Sequence, residues 1–406
     1  MNSLRSIRKL GGGVFATTFV RGLVHLPWFI FFAMAGRTLS PGEFGKLALI
    51  PTFVNLIVSF SDLGLSPAAF RRLKKSDGAD KEIRGVSLLG VKIVLPLALV
   101  LGVLAPWLYG METKLILAVA LASVSLVFAR LVSMGILRAK GRTVMAALMQ
   151  RGNRLLVLLL ALPLFFMRGE LSSWALIYGL SCLPWLTWAL VLGRVFSKDS
   201  AAPSAGLRAE MKPGLVFWIL SWVQIAMMEI DRLIIAGMAS FEDLGLYYAV
   251  INIMAGFQLL QTALSISLPA EMAKANRKSL QRATLRALVF SALLALVYIV
   301  AGPWLLEFAY GGKYATGENL ILPFIALGVA RSLYLGPSSK ILLGAGRYVL
   351  TRLFSLTVIF ALLQVVAIFV GYGWRGLEGI VWSLTLVALI RFVAVYRLAD
   401  REESHA

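Results

Sequence analysis

The stretch AGRTLSPGEFGKLAL (residues 35–49) is matched by AGMASFEDLGLYYAV (residues 236–250) in the second half of the chain. Two glycine pairs within these stretches align at offsets of 201 and 200 positions. A further pair, ARLVSMG (residues 129–135) and ARSLYLG (residues 330–336), also aligns at an offset of 201. Because the matches agree on an offset close to half of the 406 residues, they predict a tandem duplication.

The composition around these stretches is that of an integral membrane protein. Hydrophobic residues make up 59% of the chain, charged residues only 15%, and the mean hydropathy is +0.83, whereas soluble domains carry about 25% charged residues. Twelve segments have the roughly 20 apolar residues that a spanning helix needs. They lie near residues 11–35, 44–66, 86–109, 114–136, 147–168, 172–194, 213–238, 244–269, 285–310, 319–336, 350–371 and 378–396. The first is too long for the apolar region of a secretory signal peptide, so we interpret it as a retained helix.

The duplication and the span count together predict the fold. Six spans in each repeat give the two halves the same orientation, as parallel repeats related by an axis along the membrane normal. We therefore predict an all-α integral membrane protein with about 12 transmembrane helices, in two six-helix repeats around a central cavity. The predicted domains are an N-terminal bundle at 1–196, a cytosolic linker at 197–212 and a C-terminal bundle with a short cytosolic tail at 213–406.

The positive charges indicate the topology. The chain has 40 Lys and Arg against 20 Asp and Glu, a formal net charge of +20. Of these 40 cations, 26 lie at the two termini and in the connectors of one side, and only six lie at the opposite connectors and their rims. Since cytosolic loops carry the Lys and Arg excess, both termini are predicted to be cytosolic. The charge therefore needs no nucleic-acid partner, and none is predicted.

Arg21 occupies the most costly position in the first span. It lies about 15 Å along the helix, near the bilayer midplane, where a charge costs roughly 2.5–3.5 kcal/mol. Thr17, Arg21 and His25 share one helix face. We predict that Arg21 faces a cavity and binds substrate, with a salt bridge to Asp62 or Asp231 as the alternative. His25 titrates in the range suited to proton coupling, although a packing role also fits.

The seventh span carries a second cluster, MMEIDRLII (residues 227–235). Glu229 and Arg232 are three positions apart, so they can pair on one helix face. Such a pair leaves Asp231 as the group that binds a proton or Na⁺, and a purely structural network is the alternative. Asp62, in the second span, is a further candidate for ion coupling together with Glu229.

Arginines near the ends of other spans have two interpretations. Arg151 and Arg154 lie within two turns of the start of the fifth span. Both substrate binding and snorkelling of the guanidinium to the lipid headgroups fit that depth. The same holds for Arg130, Arg331 and Arg391. Because cations outnumber acids within the spans, a cavity that several of them face attracts an anion.

The absence of several motifs limits the possible activities. Cys182 is the single cysteine, and the two histidines, His25 and His405, leave little for a metal site, so no metal is predicted. No phosphate-binding loop of the Walker type is present, so the chain is not itself an ATP-driven pump. No outer connector is long enough for a catalytic domain, and we predict that the protein is not an enzyme.

Three segments carry a resemblance to a known family: AGRTLSPGEFGKLAL, SDLGLSPAAFRRL (residues 61–73) and EIDRLIIAGMASFEDLGLYYA (residues 229–249). They resemble the polysaccharide-export flippases, which are the Wzx or O-antigen-type transporters of the multidrug/oligosaccharidyl-lipid/polysaccharide (MOP) superfamily. The resemblance extends over nearly the whole chain and implies a MATE-like fold.

The resemblance also implies a function and its partners. Family members move an undecaprenyl-pyrophosphate-linked oligosaccharide from the cytosolic to the periplasmic leaflet of the bacterial inner membrane, by alternating access. The product serves O-antigen (lipopolysaccharide), capsule or exopolysaccharide synthesis, alongside a polysaccharide polymerase and chain-length proteins. Membrane lipids are partners, H⁺ or Na⁺ is the expected counter-ion, and no cofactor is expected. The family's cation-lined cavity matches Arg21 here, and Arg151, Arg154 and Arg232 are the further candidates.

Three alternatives stay open. A cation-coupled multidrug exporter of the same superfamily expects an acidic pocket, whereas the spans of this chain are biased towards arginine. A lipid II flippase is close in mechanism but usually has two additional helices. A membrane glycosyltransferase or polymerase needs a carboxylate cluster on a large loop.

Overall fold

A computed structural model describes residues 25–75, 80–195, 205–272, 277–344 and 347–401. Within these ranges the chain is helical and contains no strand. The predicted all-α membrane fold is therefore confirmed.

Helices of the first half follow the predicted spans, and several are broken at glycine or by a π-helical turn. They are α1 (25–38), α2 (Pro41–Ser61), α3 (Leu65–Lys75), α4 (Asp80–Leu89), a π-helical turn (Gly90–Val94), α5 (Leu95–Leu108), α6 (Thr113–Arg130), a second π-helical segment (Leu131–Leu137), α7 (Thr143–Arg151), α8 (Asn153–Met167), α9 (Leu171–Ser181) and α10 (Leu183–Leu192).

Helices of the second half are longer. They are α11 (Ala205–Met238), α12 (Phe241–Ile253), α13 (Ala255–Met272), α14 (Arg277–Tyr310), a 3-10 turn (Gly312–Gly317), α15 (Glu318–Leu333), α16 (Leu335–Gly344) and α17 (Arg347–Arg401). The backbone of α17 is non-helical at Arg375 and Gly376, so this element consists of two helical segments joined at that break.

Nine helices in the described ranges are long and apolar enough to cross a membrane, or ten if the bent pair α12 and α13 forms one span. The predicted spans 350–371 and 378–396 both fall within one of the nine, Val349–Asp400. The predicted first span, 11–35, is described only from residue 25. The exact count of twelve stays a prediction.

Apolar side chains point outward along several of these helices. In the span Arg277–Tyr310 only 17% of the most apolar window is buried within the protein, against 78% in Pro41–Ser61. Val300 of α14 is 82% exposed. Apolar surface of this extent needs a partner, and lipid supplies it, since a helix satisfies its own backbone hydrogen bonds in hydrocarbon.

The residues divide into two compact units. The first consists of Met1–Phe31 and Lys46–Leu233, and the second of Phe32–Gly45 and Ile234–Ala406. The division falls within helices α1, α2 and α11 rather than in connectors. The predicted domain boundaries at 196 and 213 describe the sequence repeat and stay a prediction.

Matching helix starts in the second unit support the sequence repeat. At the start of α2, the Ser40 backbone N–H donates to the Glu43 carboxylate at 2.9 Å, and the Glu43 N–H donates to the Ser40 hydroxyl at 3.4 Å. The same reciprocal capping box joins Ser240 and Asp243 at the start of α12. A capping box satisfies two backbone donors that the first helical turn leaves unpaired. The corresponding helices of the two repeats, α2 and α12, therefore both begin with a capping box.

Gly45 and Gly245 let the two capped helices approach closely. A Cβ atom on Gly45 would collide with the carbonyl oxygen of Phe241, and one on Gly245 with that of Pro41. Only glycine fits at such a crossing, and small residues are common where membrane helices meet. Each glycine packs against the start of the other helix. This packing explains why a glycine occurs at the corresponding position of both repeats.

The connector between α1 and α2 is fastened to the end of α14. Arg37 donates from Nε to the carbonyl of Ala309 at 3.1 Å. In return, Lys313 Nζ donates to the carbonyls of Arg37 at 2.9 Å and Leu39 at 3.2 Å. These bonds, all within the second unit, explain why residues 32–45 group with it.

Substitution of Gly45 by alanine is expected to destabilise the protein, because the new Cβ forces α2 and α12 apart. Overpacking of this kind costs about 1–3 kcal/mol. The measurement is the melting temperature of the detergent-solubilised protein. Gly237→Ala is the control, since a Cβ there meets nothing within 4 Å, and it is expected to leave the melting temperature equal or higher. Equal effects of the two substitutions would contradict the close crossing.

Candidate functional site

The described residues among the predicted site residues all lie in the first unit. His25, Asp62, Arg151, Arg154, Glu229, Asp231 and Arg232 are among them. Arg21 lies outside the described residues. The structure groups these side chains into two clusters and one separate carboxylate.

The first cluster forms around His25, which is 7% exposed. Arg154 Nη1 lies 3.1 Å from His25 Nδ1, and Arg151 Nη1 contacts Nε2 on the other side of the ring. The junction of α7 and α8 at Gly152 makes this convergence possible. A Cβ on Gly152 would press against the Trp185 ring. Glycine therefore lets Trp185 pack against the junction, and the two arginines lie on either side of it.

An aromatic wall adjoins this cluster, which we call the His25 cluster (His25, Arg151, Arg154). The Arg154 guanidinium lies over the Trp28 ring, 4.7 Å from its centroid. Trp28 in turn packs on Phe31 and Tyr178, with centroid separations of 6.0 and 5.6 Å. Stacking on an aromatic face stabilises a cation and fixes the plane of the guanidinium.

The chemistry of the His25 cluster favours an anion. A guanidinium has donors and no acceptor, and a neutral imidazole accepts at one nitrogen only. Two positive charges thus converge on one buried ring. Carboxylate or phosphate oxygens are the groups that arginine pairs bind most strongly, through charge-assisted and frequently bidentate hydrogen bonds.

The second cluster joins α11 to α2 and contains the predicted ion pair. Arg232 Nη1 contacts the Glu229 carboxylate and lies 3.4 Å from the Thr52 hydroxyl. Asn55 Nδ2 donates to Glu229 Oε1 at 2.9 Å. Both charged side chains are nearly buried, at 11% and 10% exposed. The spacing argument for pairing is confirmed, and the charge of Arg232 is balanced by Glu229 within this cluster.

Asp231 is buried next to the Glu229–Arg232 pair in the sequence. It is 2% exposed, and its Oδ1 accepts the backbone N–H of Arg232 at 2.9 Å. The proposed role in binding a proton or Na⁺ stays a prediction for this residue.

Asp62 has a structural task at the turn between α2 and α3. Leu63 and Gly64 have positive φ values of 45° and 79°, a conformation that favours glycine. The Ser66 hydroxyl donates to Asp62 Oδ1, and the Ser66 N–H donates to the same oxygen at 3.3 Å. The motif SDLGLS thus ends one helix and caps the next.

Two residues of this region were missed by the sequence argument. Thr52 belongs to the Glu229 cluster, and its spacing from Asn55, Ser59 and Asp62 along one face of α2 was the available signal. Arg138, which lies in a connector on the predicted cytosolic side, also lines a cavity beside Asp62. No metal-binding group of three or more His, Cys, Asp or Glu occurs in the part of the chain that the structure describes.

A many-helix membrane fold with arginines and carboxylates inside its helices is the architecture of a membrane transporter. The family comparison agrees. The model of the family described as polysaccharide biosynthesis protein matches residues 10–270. This chain belongs to that family. A comparison with curated proteins gives no significant match.

Solved structures with similar folds are transporters of the MOP superfamily. The lipid II flippase MurJ in an inward closed conformation has a TM-score of 0.73 at 14% identity, covering 94% of this chain and 86% of that one. A mutant of the Vibrio cholerae MATE transporter VcmN has a TM-score of 0.62 at 17% identity, covering 99% of both chains. A Pyrococcus furiosus MOP transporter, whose title reports a binding pocket of reverse polarity, has a TM-score of 0.58 at 16% identity, covering 98% of this chain and 95% of that one. At these identities the matches establish the shared fold.

Removal of Glu229 is expected to destabilise the protein, because it leaves the buried charge of Arg232 without its carboxylate. Breaking a buried ion pair costs about 3–5 kcal/mol, and Glu229→Gln tests this in a chemical or thermal unfolding experiment.

The exposed pair Arg375 and Glu378 has the same three-residue spacing, with side chains 55% and 34% exposed. Glu378→Gln is therefore a matched control, with an expected cost of at most about 1 kcal/mol. The double substitution Glu229→Gln with Arg232→Gln should recover part of the loss. An additive double mutant would contradict the pairing.

Proposed function

We propose that this protein is a flippase. It moves an undecaprenyl-pyrophosphate-linked oligosaccharide from the cytosolic to the periplasmic leaflet of a bacterial inner membrane, by alternating access. The oligosaccharide serves the synthesis of O-antigen, capsule or exopolysaccharide. The observation that carries the proposal is the convergence of Arg151 and Arg154 on buried His25, in a chain of the polysaccharide biosynthesis family.

The His25 cluster supplies hydrogen-bond donors and positive charge in place of the water that the pyrophosphate loses on entering the membrane. A phosphate charge is poorly solvated by hydrocarbon, so its transfer is unfavourable unless protein groups replace the water. Arg151 and Arg154 present donors from two sides of His25, and each guanidinium can form a bidentate pair with phosphate oxygens. Arg21, four positions before His25 in the sequence, adds a third cation in this proposal.

Trp28 provides a surface for the sugar next to the phosphate. Its ring lies against Arg154, with a separation of 4.7 Å from the guanidinium carbon to the centroid. An aromatic face beside a phosphate-binding arginine suits a headgroup in which a sugar ring directly follows a pyrophosphate. The polyprenyl tail stays in the bilayer.

Ion coupling is assigned in this proposal to the carboxylates of α11. Arg232 is paired with Glu229, so binding of H⁺ or Na⁺ at Glu229 or Asp231 changes the charge balance of the cluster and the contacts between α2 and α11. Asp62 is the third candidate. In this role Arg232 serves coupling through Glu229 rather than binding substrate.

The proposal also includes the topology and the partners of the protein. Both termini lie in the cytosol, and membrane lipids, a polysaccharide polymerase and chain-length proteins are the partners. The protein transports and does not catalyse a covalent reaction, and it uses no cofactor apart from the counter-ion. A cation-coupled multidrug exporter is the second candidate, supported by the fold shared with VcmN and by the buried carboxylates Glu229 and Asp231.

The first test is mass spectrometry of lipid-linked oligosaccharides in a strain depleted of the protein, with surface polysaccharide measured in parallel. Accumulated undecaprenyl-pyrophosphate glycan with lost surface polymer supports the flippase. Normal glycan lipids with new sensitivity to cationic drugs instead support the exporter.

Complementation of that strain tests the His25 cluster. Arg154→Ala removes one of two charge-assisted contacts to phosphate, each worth about 1.5–3 kcal/mol, so export should fall about tenfold to a hundredfold. Lys114→Gln is the control, because Lys114 is exposed at the start of α6, and it should restore export fully. Full export by a well-inserted Arg154→Ala protein would overturn the proposed anion site.

The coupling assignment has its own test in proteoliposomes. Asp231→Asn keeps the size of the side chain but removes the titratable group, so the pH or Na⁺ dependence of transport should flatten. Transport by Asp243→Asn, which alters a helix cap, should keep the dependence of the wild type. Unchanged dependence in Asp231→Asn would leave Asp231 with a structural role.

A further inference from the structure

A cavity of about 490 Å³ lies within the first unit. Its walls come from the turn after α2, from α3, from the second π-helical segment with the residues that follow it, and from α11. The His25 cluster contributes none of its lining residues. The volume lies in the range of small-molecule sites, which is roughly 300–1,000 Å³.

Two arginines and one carboxylate line this cavity, so its charge is positive. Arg130 and Arg138 lie at the two ends of the π-helical segment Leu131–Leu137, and both line the cavity with Asp62. π-Helical segments occur frequently at functional sites. The Asp62 carboxylate accepts two hydrogen bonds from Ser66 and interacts electrostatically with Arg130, so it offsets one of the two positive charges that line the cavity.

The donors of these arginines exceed their protein acceptors. Arg130 Nη1 donates to the Ser59 hydroxyl at 3.1 Å. Its Nε is buried and has no hydrogen-bond partner among the residues that the structure describes. Partial desolvation beside the cavity lowers the pKa of the Arg138 guanidinium, although the residue as a whole is exposed. An anion in the cavity would offset the positive charge of both guanidiniums.

Part of the cavity wall is aromatic. The Trp218 indole N–H donates to the carbonyls of Ser59 at 2.9 Å and Phe60 at 3.0 Å. Because this donor is occupied by backbone, Trp218 offers the cavity its ring rather than a hydrogen bond. Phe70 and Phe217 also line the space, and the Thr143 and Ser221 hydroxyls add polar groups. Cationic hydrogen-bond donors together with aromatic faces match a sugar ring that carries a phosphate.

We propose that this cavity binds a glycosyl phosphate, with the phosphate at Arg130 and Arg138 and a sugar ring on Trp218. The site is separate from the His25 cluster. Arg138 and Thr143 flank the connector that is predicted to be cytosolic, so the cavity receives ligand before translocation. The proposal rests on the proposed function only for the source of the ligand, which is the carrier-linked glycan if that function is correct and a soluble sugar phosphate otherwise.

Binding to the purified protein in nanodiscs tests the proposal with three probes. They are inorganic pyrophosphate, glucose 1-phosphate and a short-chain prenyl-pyrophosphate-linked hexose. Arg138→Gln should weaken binding of both sugar-containing probes tenfold or more. Arg142→Gln is the matched control, since Arg142 is exposed in the same connector and does not line the cavity, and its affinities should equal those of the wild type.

Trp218 tests the sugar component. Trp218→Leu should weaken the glucosyl probes about tenfold and leave inorganic pyrophosphate unchanged, while Trp218→Phe keeps an aromatic face and should restore most of the loss. The melting temperature of each variant identifies any that fail to fold. Equal affinity of the wild type for pyrophosphate and glucose 1-phosphate, or binding insensitive to Arg138→Gln, would overturn the proposal.

The outcomes also separate this proposal from the proposed flippase function. Binding of the prenyl-linked probe alone supports a carrier-linked ligand, and binding of glucose 1-phosphate alone supports a soluble one. A strain with normal glycan lipids but Arg138-dependent binding of glucose 1-phosphate would remove the flippase function and keep the site. Normal flipping with no Arg138-dependent binding would remove the site and keep the function.

Discussion

The cost of placing charge in hydrocarbon governs this structure. Each guanidinium or carboxylate within a span loses its water, and the loss must be offset by an opposite charge, hydrogen bonds or a ligand. The first unit compensates its buried charges in different ways at different sites. Glu229 neutralises Arg232 directly, whereas Arg151 and Arg154 meet at an imidazole that brings no fixed negative charge. The first arrangement pairs opposite charges, whereas the second brings two cations to one ring, the place that the proposed function assigns to the pyrophosphate.

Helix packing obeys a second constraint of the membrane. Between spans there is no hydrophobic driving force, so close approach of backbones and polar contacts hold the helices together. Gly45 and Gly245 provide the close approach in the second unit, and the bonds of Arg37 and Lys313 to backbone carbonyls provide the polar contacts. These contacts hold residues 32–45 to the second unit while Lys46 onward packs in the first. The boundary between the two units therefore falls within α1, α2 and α11.

Local features of this chain could be predicted from its sequence, and contacts between distant segments could not. Hydropathy gave the spans, and three-residue spacing gave the Glu229–Arg232 pair, because both depend on helical geometry alone. The meeting of His25 with Arg151 joins positions 126 residues apart, which no spacing rule encodes. Arg138 follows the predicted span, and the cavity that it lines also needs residues of the π-helical segment and of α11, the second of which is distant in the sequence. The count of twelve helices depends on breaks such as Arg375 and Gly376, which hydropathy does not locate.

The separation of charge in the first unit bears on which ligand a transporter of this fold can carry. An exporter of cationic drugs needs carboxylates that face the substrate, yet Glu229 is engaged by Arg232 and Asn55, and Asp62 by Ser66. Arg151 and Arg154 at His25, and Arg130 and Arg138 in the 490 Å³ cavity, place positive charge at two sites in this unit. A cationic drug would meet repulsion at both places, whereas a phosphorylated glycan would meet complementary charge at each. Because electrostatic complementarity selects partners by rejecting the wrong sign, this distribution favours the anionic lipid-linked sugar over the drug.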